Sequence, residues 1–261
     1  IRMFTAREYV KAKSLDEAWE LNQIRSNRVV GGMLWLKMSR LNINKLIDLS
    51  DLGLDGIEEN EDEFIIGCMT PLRALELHPG LERYSCGAVR EALRSIVGVQ
   101  FRNLATVGGS IYGRYGFSDV LTVFAAMDSF VELHKGGIIP LSEFIGMKPD
   151  RDILVRLIIK KSPIDLRYYS VRNSRTDFAV LNCAAVKSGD KLKLVFGARP
   201  GRAMIFEKSL SEVSSAASLA GEAAEAIETR SSLRAGADYR THLVRVFAKR
   251  AYNDLGGGEK C

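Results

Sequence analysis

The sequence predicts an α+β fold, and three observations carry that reading. Helical and strand-like segments interleave without the regular alternation of βαβ units. The strand-like runs are short and bounded by glycine, proline or acidic turns. No internal repeat and no long apolar run occurs along the 261 residues.

Taken in order, the elements begin with a short strand and a helix. Ser14 is placed to cap that helix, Asp16 and Glu17 suit its first turn, and Ala18, Leu21 and Ile24 supply a buried stripe. Arg28–Val30 is a strand that runs into the pair Gly31-Gly32, and Lys45–Leu49 resumes extended structure. Gly56–Gly67 reads as a hairpin; its acidic turn lacks EF-hand spacing and is read as solvated rather than metal-binding. Thr70 as cap and Pro71 as first residue open a helix, and a second runs from about Val89 to Ile96. Gly108-Gly109 is another glycine break, Ser118–Met127 is helical, and Ser129–Leu133 is a strand. The β-branched strand Ile153–Ile159 closes the first region. Ser162-Pro163 punctuates the chain there, giving domains of residues 1–162 and 163–261. In the second, Leu166–Val171, Val180–Lys187 and Leu192–Ala198 suit a small antiparallel sheet, followed by helices over Ser209–Ala226 and Tyr239–Leu255. Gly256-Gly257-Gly258 ends the last helix and starts a tail expected to be mobile.

Composition narrows the function classes. A hydrophobic fraction of 46% and a charged fraction of 26% are those of a soluble globular protein. The net charge of +5 is not gathered into a stripe and has no aromatic-basic pattern beside it, which argues against nucleic acid. No apolar run approaches the roughly 20 residues of a membrane span, and the N-terminal residues show no secretory h-region, so a cytoplasmic location is expected. Cys68, Cys86, Cys183 and Cys261 form no C-x-x-C pair, so thiolate-held metal, an iron–sulfur cluster or a disulfide framework in this chain is not expected. Cys68 and Cys183 sit in apolar runs and read as small core residues. His78, His134 and His242 lie outside every motif and read as structural or solvated.

The chemistry concentrates in two glycine segments. In the first, Val29-Val30-Gly31-Gly32-Met33-Leu34-Trp35-Leu36, paired glycines after a strand permit positive φ and remove the Cβ atoms that hold a ligand away. Successive N–H groups in such a turn can converge on an anion, although the same letters also describe an ordinary tight turn. Neither a P-loop nor a G-x-G-x-x-G is present. The second segment, Arg102–Ile111, repeats the design with Thr106, then Gly108-Gly109, then Ser110. Two such turns suit a diphosphate gripped from both sides. Asp119, ten residues on beside Ser118, reads either as an N-terminal helix cap, where the helix dipole favours a carboxylate, or as an acceptor for ribose hydroxyls or a neighbouring flavin group.

Val30-Gly31-Gly32, Arg102–Gly109 and Ser118-Asp119-Val120-Leu121 resemble, in letters and spacing, the signature segments of FAD-binding subunits of molybdenum hydroxylases. That family includes xanthine dehydrogenase FAD subunits and carbon monoxide dehydrogenase medium subunits. Ile66–Thr70, Ser231–Arg240 and Val246–Ala251 extend the resemblance over nearly the whole chain. It implies a two-subdomain FAD-binding domain, vanillyl-alcohol-oxidase/PCMH-like, followed by a small α/β C-terminal domain. It further implies that Val29, Val30, Gly31, Gly32, Met33, Leu34, Trp35 and Leu36 line the diphosphate and that Thr106, Gly108, Gly109 and Ser110 form a second wall. Asp119 would take the polar contact after it, and Ile96 and Leu154 would be apolar flavin contacts. Two departures stand out: Ser110 replaces a common Asn, and Tyr169 or Ser170 falls where a flavin-reaching Lys is often found, with Arg172 near enough to substitute.

The resemblance implies an FAD-carrying electron-transfer subunit with no catalytic acid–base residue and no metal of its own. Its partners would be a large chain with the molybdenum cofactor and a small chain with [2Fe–2S] clusters, and its acceptor NAD⁺ or another oxidant. Two rival readings are a stand-alone FAD oxidoreductase of the same fold and a non-catalytic assembly subunit.

Overall fold

The structure, a computed structural model, describes residues 4–256. Strands β1 (Thr5–Lys11), β2 (Arg28–Val30) and β3 (Asn42–Asp48) form a parallel sheet in the order β1-β3-β2, with helix α1 (Leu15–Gln23) between β1 and β2 in the chain. Ser14 caps α1, its hydroxyl accepting from the Glu17 N–H at 3.1 Å. The expected apolar stripe is only partly there: Ala18 is buried, Leu21 is half-buried, Ile24 is exposed and the polar Asn22 is buried. Arg151 is the reason. The Asn22 amide donates to the Arg151 carbonyl at 2.8 Å, and the Arg151 guanidinium donates back to the carbonyls of Asn22 and Ile24, so polar pairing sets this face.

The predicted hairpin is β4 (Ile57–Glu59) with β5 (Glu63–Gly67). Helices α2 (Leu72–Leu77), α3 (Pro79–Tyr84), α4 (Ala88–Arg94), α5 (Val99–Arg102), α6 (Val107–Ile111) and α7 (Asp119–Ala126) follow. Pro71, expected as the first helical residue, lies one position before α2, and Thr70, expected as its cap, instead donates its hydroxyl to the Gly56 carbonyl at 3.0 Å and ties the helix start to the hairpin. Strands β6 (Ser129–Leu133) and β7 (Gly137–Pro140), helix α8 (Leu141–Gly146) and β8 (Leu154–Lys160) complete a five-stranded antiparallel sheet ordered β4-β5-β8-β6-β7. β7, α3, α5 and α8 are short elements that the periodicity does not mark.

The rest of the chain is β9 (Asp165–Arg172), β10 (Ala179–Ser188), β11 (Lys191–Gly197), β12 (Met204–Ser209), α9 (Ala216–Ala226) and α10 (Ala237–Gly256). The four strands form the predicted antiparallel sheet in the order β12-β11-β10-β9. The expected helix start at Ser209 is corrected to Ala216. Met204–Ser209 pairs along β11, and Ser215 is the cap that accepts from the Ser218 N–H. A serine-rich stretch does not reveal which serine caps. The tail after Gly256 lies outside the described residues.

Two compact units emerge. One takes the chain up to Ala74 with Val99–Gly113 and Ser129–Lys160; the other takes Leu75–Gly98, Arg114–Asp128 and the chain from Lys161 on. The second has a core in which Leu181, Cys183, Leu194 and Phe196 of the sheet pack against Leu219, Ala223, Val244, Phe247 and Ala251 of α9 and α10. The mixed helix and sheet content is that of an α+β protein.

Candidate functional site

In the first unit, the two glycine segments meet. A Cβ on Gly31 would lie 2.5 Å from Thr106 Oγ1, and one on Gly32 would lie 1.9 Å from the Leu104 carbonyl oxygen. At Gly32, where the clash is with backbone, glycine is therefore required by the approach of the second segment. Positive φ is not the reason: the left-handed residue of the loop is Met33, at φ 57°. Among the described residues, none of the N–H groups of Gly32, Met33 and Leu34 donates to a protein acceptor. Three successive unengaged amides around a left-handed residue are the kind of donor set that can converge on an anion. Val30 before them is buried in a small core with Ile43 and Leu46, against which Met33 and Leu36 also pack. Val29 and Leu34 are half-buried, and Trp35 is 46% exposed.

The second segment is not the glycine break expected. Val107–Ile111 is the short helix α6, capped by Thr106, whose hydroxyl accepts from the Gly109 N–H at 3.2 Å. Its first amides are already engaged: Val107 donates to the Thr70 carbonyl at 3.0 Å and Gly108 to the Cys68 carbonyl at 2.7 Å. The Ser110 hydroxyl turns back onto the Thr106 carbonyl at 2.9 Å. The two segments thus differ: the first has unengaged N–H groups, and the second is held by hydrogen bonds to Thr70 and Cys68 as well as within itself. Leu154, also in this unit, is buried as the first residue of β8.

In the second unit, Ser118 and not Asp119 caps α7, accepting from the Leu121 N–H at 3.1 Å. Asp119 is the first helical residue and is buried. Its Oδ1 accepts from the Tyr168 hydroxyl, from Arg172 Nη2 at 2.7 Å and from Asn182 Nδ2 at 2.8 Å. Burial opposes the charge on Arg172, yet the Asp119 carboxylate outweighs it and raises the guanidinium above its ordinary value. Burial, and then the same carboxylate, hold the Tyr168 hydroxyl well above the usual tyrosine range. β9 alternates, so Tyr168, Ser170 and Arg172 share one face and Tyr169 points to the other, where it stacks on Phe247 and donates to Asp254 at 2.7 Å. Ser170 is exposed, and Ile96 is half-buried next to Val97, which is left-handed at φ 50° despite its branched Cβ. Tyr168 and Asn182 were not singled out from the sequence; strand alternation from Arg172 would have pointed to Tyr168.

A family model described as the FAD binding domain in molybdopterin dehydrogenase matches residues 2–161. The chain belongs to this family. The FAD domain is thereby established, and relatives over almost the full length agree with it. The carbon monoxide dehydrogenase medium chain of Hydrogenophaga pseudoflava is 27% identical, covering 94% of this chain and 96% of that one. The xanthine dehydrogenase FAD-binding subunit of Escherichia coli O157:H7 is 24% identical over 97% of each. Among solved structures, carbon monoxide dehydrogenase from Hydrogenophaga pseudoflava superposes with a TM-score of 0.83 at 23% identity, covering 95% of this chain and 96% of that one, and so establishes the fold. The unengaged amides of Gly32–Leu34 are of the donor type that the diphosphate of an FAD domain requires. No helix among the described residues is long and apolar enough to cross a membrane.

Proposed function

We propose that this chain is the FAD-carrying electron-transfer subunit of a cytoplasmic, heteromeric molybdenum hydroxylase. It would take electrons from [2Fe–2S] clusters on a small partner and pass them to NAD⁺ or another acceptor, while a large partner holds the molybdenum cofactor. The residues before Pro163 form the FAD-binding domain in this reading, and 163–261 the smaller one. The single observation that carries the cofactor assignment is the row of unengaged amides at Gly32–Leu34 facing no protein acceptor. The names of the relatives, a medium chain and an FAD-binding subunit, support the heteromeric assembly.

FAD, when bound, supplies a group that accepts electrons one or two at a time and releases them to a different oxidant. The chain's own part is to bind and orient it. Gly32, Met33 and Leu34 donate to the diphosphate, Val29, Val30, Gly31, Trp35 and Leu36 shape that wall, and Thr106, Gly108, Gly109 and Ser110 form the opposite one. Leu154 is assigned in the same unit by correspondence of motif, as are Ile96, Asp119 and Ser170 in the other unit, whereas Tyr169, turned onto Phe247 and Asp254, is withdrawn as a flavin contact. No side chain here need move a substrate proton.

The test is purification of the native complex with flavin, iron and molybdenum analysis. Stoichiometric FAD with a molybdenum chain and an iron–sulfur chain is the expected result. A yellow protein that stays alone and turns over its own substrate would replace this reading with the stand-alone oxidoreductase; a colourless protein that gains no flavin on reconstitution would leave only an assembly role.

A further inference from the structure

Leu233 stands fully exposed in the loop between α9 and α10. A single exposed leucine on a surface is ordinary, but this one is carried on fixed backbone. The Ser232 N–H donates to the Ala235 carbonyl at 3.0 Å and the Arg234 N–H to the Ser232 hydroxyl at 3.2 Å, closing a tight turn around it. Arg240, 1% exposed, fastens that turn. Its guanidinium donates to the carbonyls of Val180, Arg230 and Ala235 at 2.8, 2.6 and 2.7 Å and to the Ser232 hydroxyl at 2.7 Å. One buried cation thus ties both arms of the loop to β10.

The neighbours of Leu233 extend this surface within the second unit. Arg234 lies over the Phe178 ring at 4.9 Å, Phe178 meets Phe117 at 4.5 Å between centroids, and Phe117 stacks on Tyr115 at 5.2 Å. Phe117 and Tyr115 are exposed. The Ala198 N–H donates to the Gly116 carbonyl at 2.6 Å and Arg199 to the Glu228 carbonyl, so four loops gather at one end of the sheet. Those loops, 114–118, 173–178, 198–203 and 228–236, hold six arginines, no lysine and two carboxylates, an excess of four positive charges. Aromatics and arginine without lysine, around an apolar tip, are the composition of the centre of a protein–protein contact. A tip that is already ordered loses little freedom on docking. We infer that Leu233 is the anchor of a docking surface for an acidic protein partner, entering an apolar pocket rimmed by carboxylates. This rests on the heteromeric reading, since the partner is one of the chains assembled with this one. The charge excess selects it: a basic surface is repelled, and carboxylates bond arginine in a fork.

The experiment uses the native complex. The Kd of the full-length chain for the remaining subunits is measured by calorimetry at low and high salt. Leu233→Asp should weaken it about 30-fold or more, as loss of an interface hot spot does, and leave the thermal midpoint of the isolated chain unchanged. Arg175→Glu, at an exposed position of the β9–β10 loop, should show a smaller loss and a shallower salt dependence. Irradiation of a complex that carries a benzophenone amino acid in place of Leu233 should join this chain to an acidic segment of a partner chain. Equal Kd for the parent and Leu233→Asp, in a complex that assembles normally, would overturn the docking surface and leave the heteromeric reading standing. A cross-link only to a second copy of this chain would overturn the acidic partner. A parent chain that associates with no molybdenum or iron–sulfur chain would overturn both readings.

Discussion

Gly31 and Gly32 look alike as letters, yet the structure asks different things of them. A Cβ on Gly31 meets a hydroxyl that can rotate away, whereas one on Gly32 meets the backbone of Leu104 at 1.9 and 2.5 Å. Gly109 has only Thr106 Oγ1 nearby, at 3.2 Å. Gly32→Ala is therefore expected to lower the urea midpoint by the equivalent of about 1–3 kcal/mol and to reduce FAD content, and Gly109→Ala to leave the midpoint nearly unchanged. Comparable midpoints for the two variants would show that the segments do not press together. The glycine pairs were legible in the sequence as sites needing no side chain, but the reason was not: the sequence suggests positive φ, and close backbone approach depends on residues some seventy positions away. Asp119 is a second case. Its importance was legible, its partners were not, because Tyr168, Arg172 and Asn182 come from two other strands. Side-chain exposures of 6% for Asp119 and 7% for Arg172 make this a buried pair, and removing one member strands the other charge. Asp119→Asn and Arg172→Met should each cost about 3–5 kcal/mol in chemical denaturation. The double variant should cost clearly less than their sum, because both singles break one interaction; strict additivity would mean the pair is not coupled.

At the level of elements, long periodic stretches were readable and short ones were not. α1, α7, α10 and the β9–β11 meander follow from patterning, while α5, α6 and β7 are held by tertiary contacts: α6 by Thr70 and Cys68 carbonyls, β7 by pairing with β6. β10 shows how burial within an element becomes a measurable property. Eight consecutive residues from Ala179 to Val186 are buried, Cys183 among them. Burial raises the thiol of Cys183, and likewise pushes Cys68 at the end of β5 up to about 12 from an ordinary 9.0. The sign follows from which state holds the proton. Below pH 9 both folded and unfolded thiols are protonated and the contribution is complete. Between pH 9 and about 12 the unfolded chain releases protons that the folded chain keeps, so stability falls by about 1.4 kcal/mol per pH unit for each such thiol. Cys183→Ala should accordingly flatten the plot of unfolding free energy against pH between 9 and 11 by one thiol's share. Equal slopes in parent and variant would mean that Cys183 ionises as freely in the fold as out of it.

For the molecule as a whole, the boundary suggested by Ser162-Pro163 and the compact units divide the chain differently. The family match ends at 161, close to the proline, whereas residues 75–98 and 114–128 belong to the unit that continues from Lys161. α7 explains why this matters. Every residue from Asp119 to Ala126 is buried, and the surfaces that bury them include β10 and β11, with α4 alongside. A fragment ending at residue 162 would keep α7 and lose those strands. It would expose the apolar side chains of Val120, Leu121, Val123 and Phe124 and leave Asp119 without Tyr168, Arg172 and Asn182. Such a fragment is expected to bind a hydrophobic dye, to lack a cooperative thermal transition and to retain little FAD, even though it carries both glycine segments. The full chain should unfold cooperatively and gain stability with FAD at about 2.7 kcal/mol for a 100-fold excess over Kd. A fragment 1–162 that melts sharply and holds flavin as well as the full chain would show that the sequence domain is also a folding unit, and that the packing of α7 on the later sheet is dispensable for the cofactor.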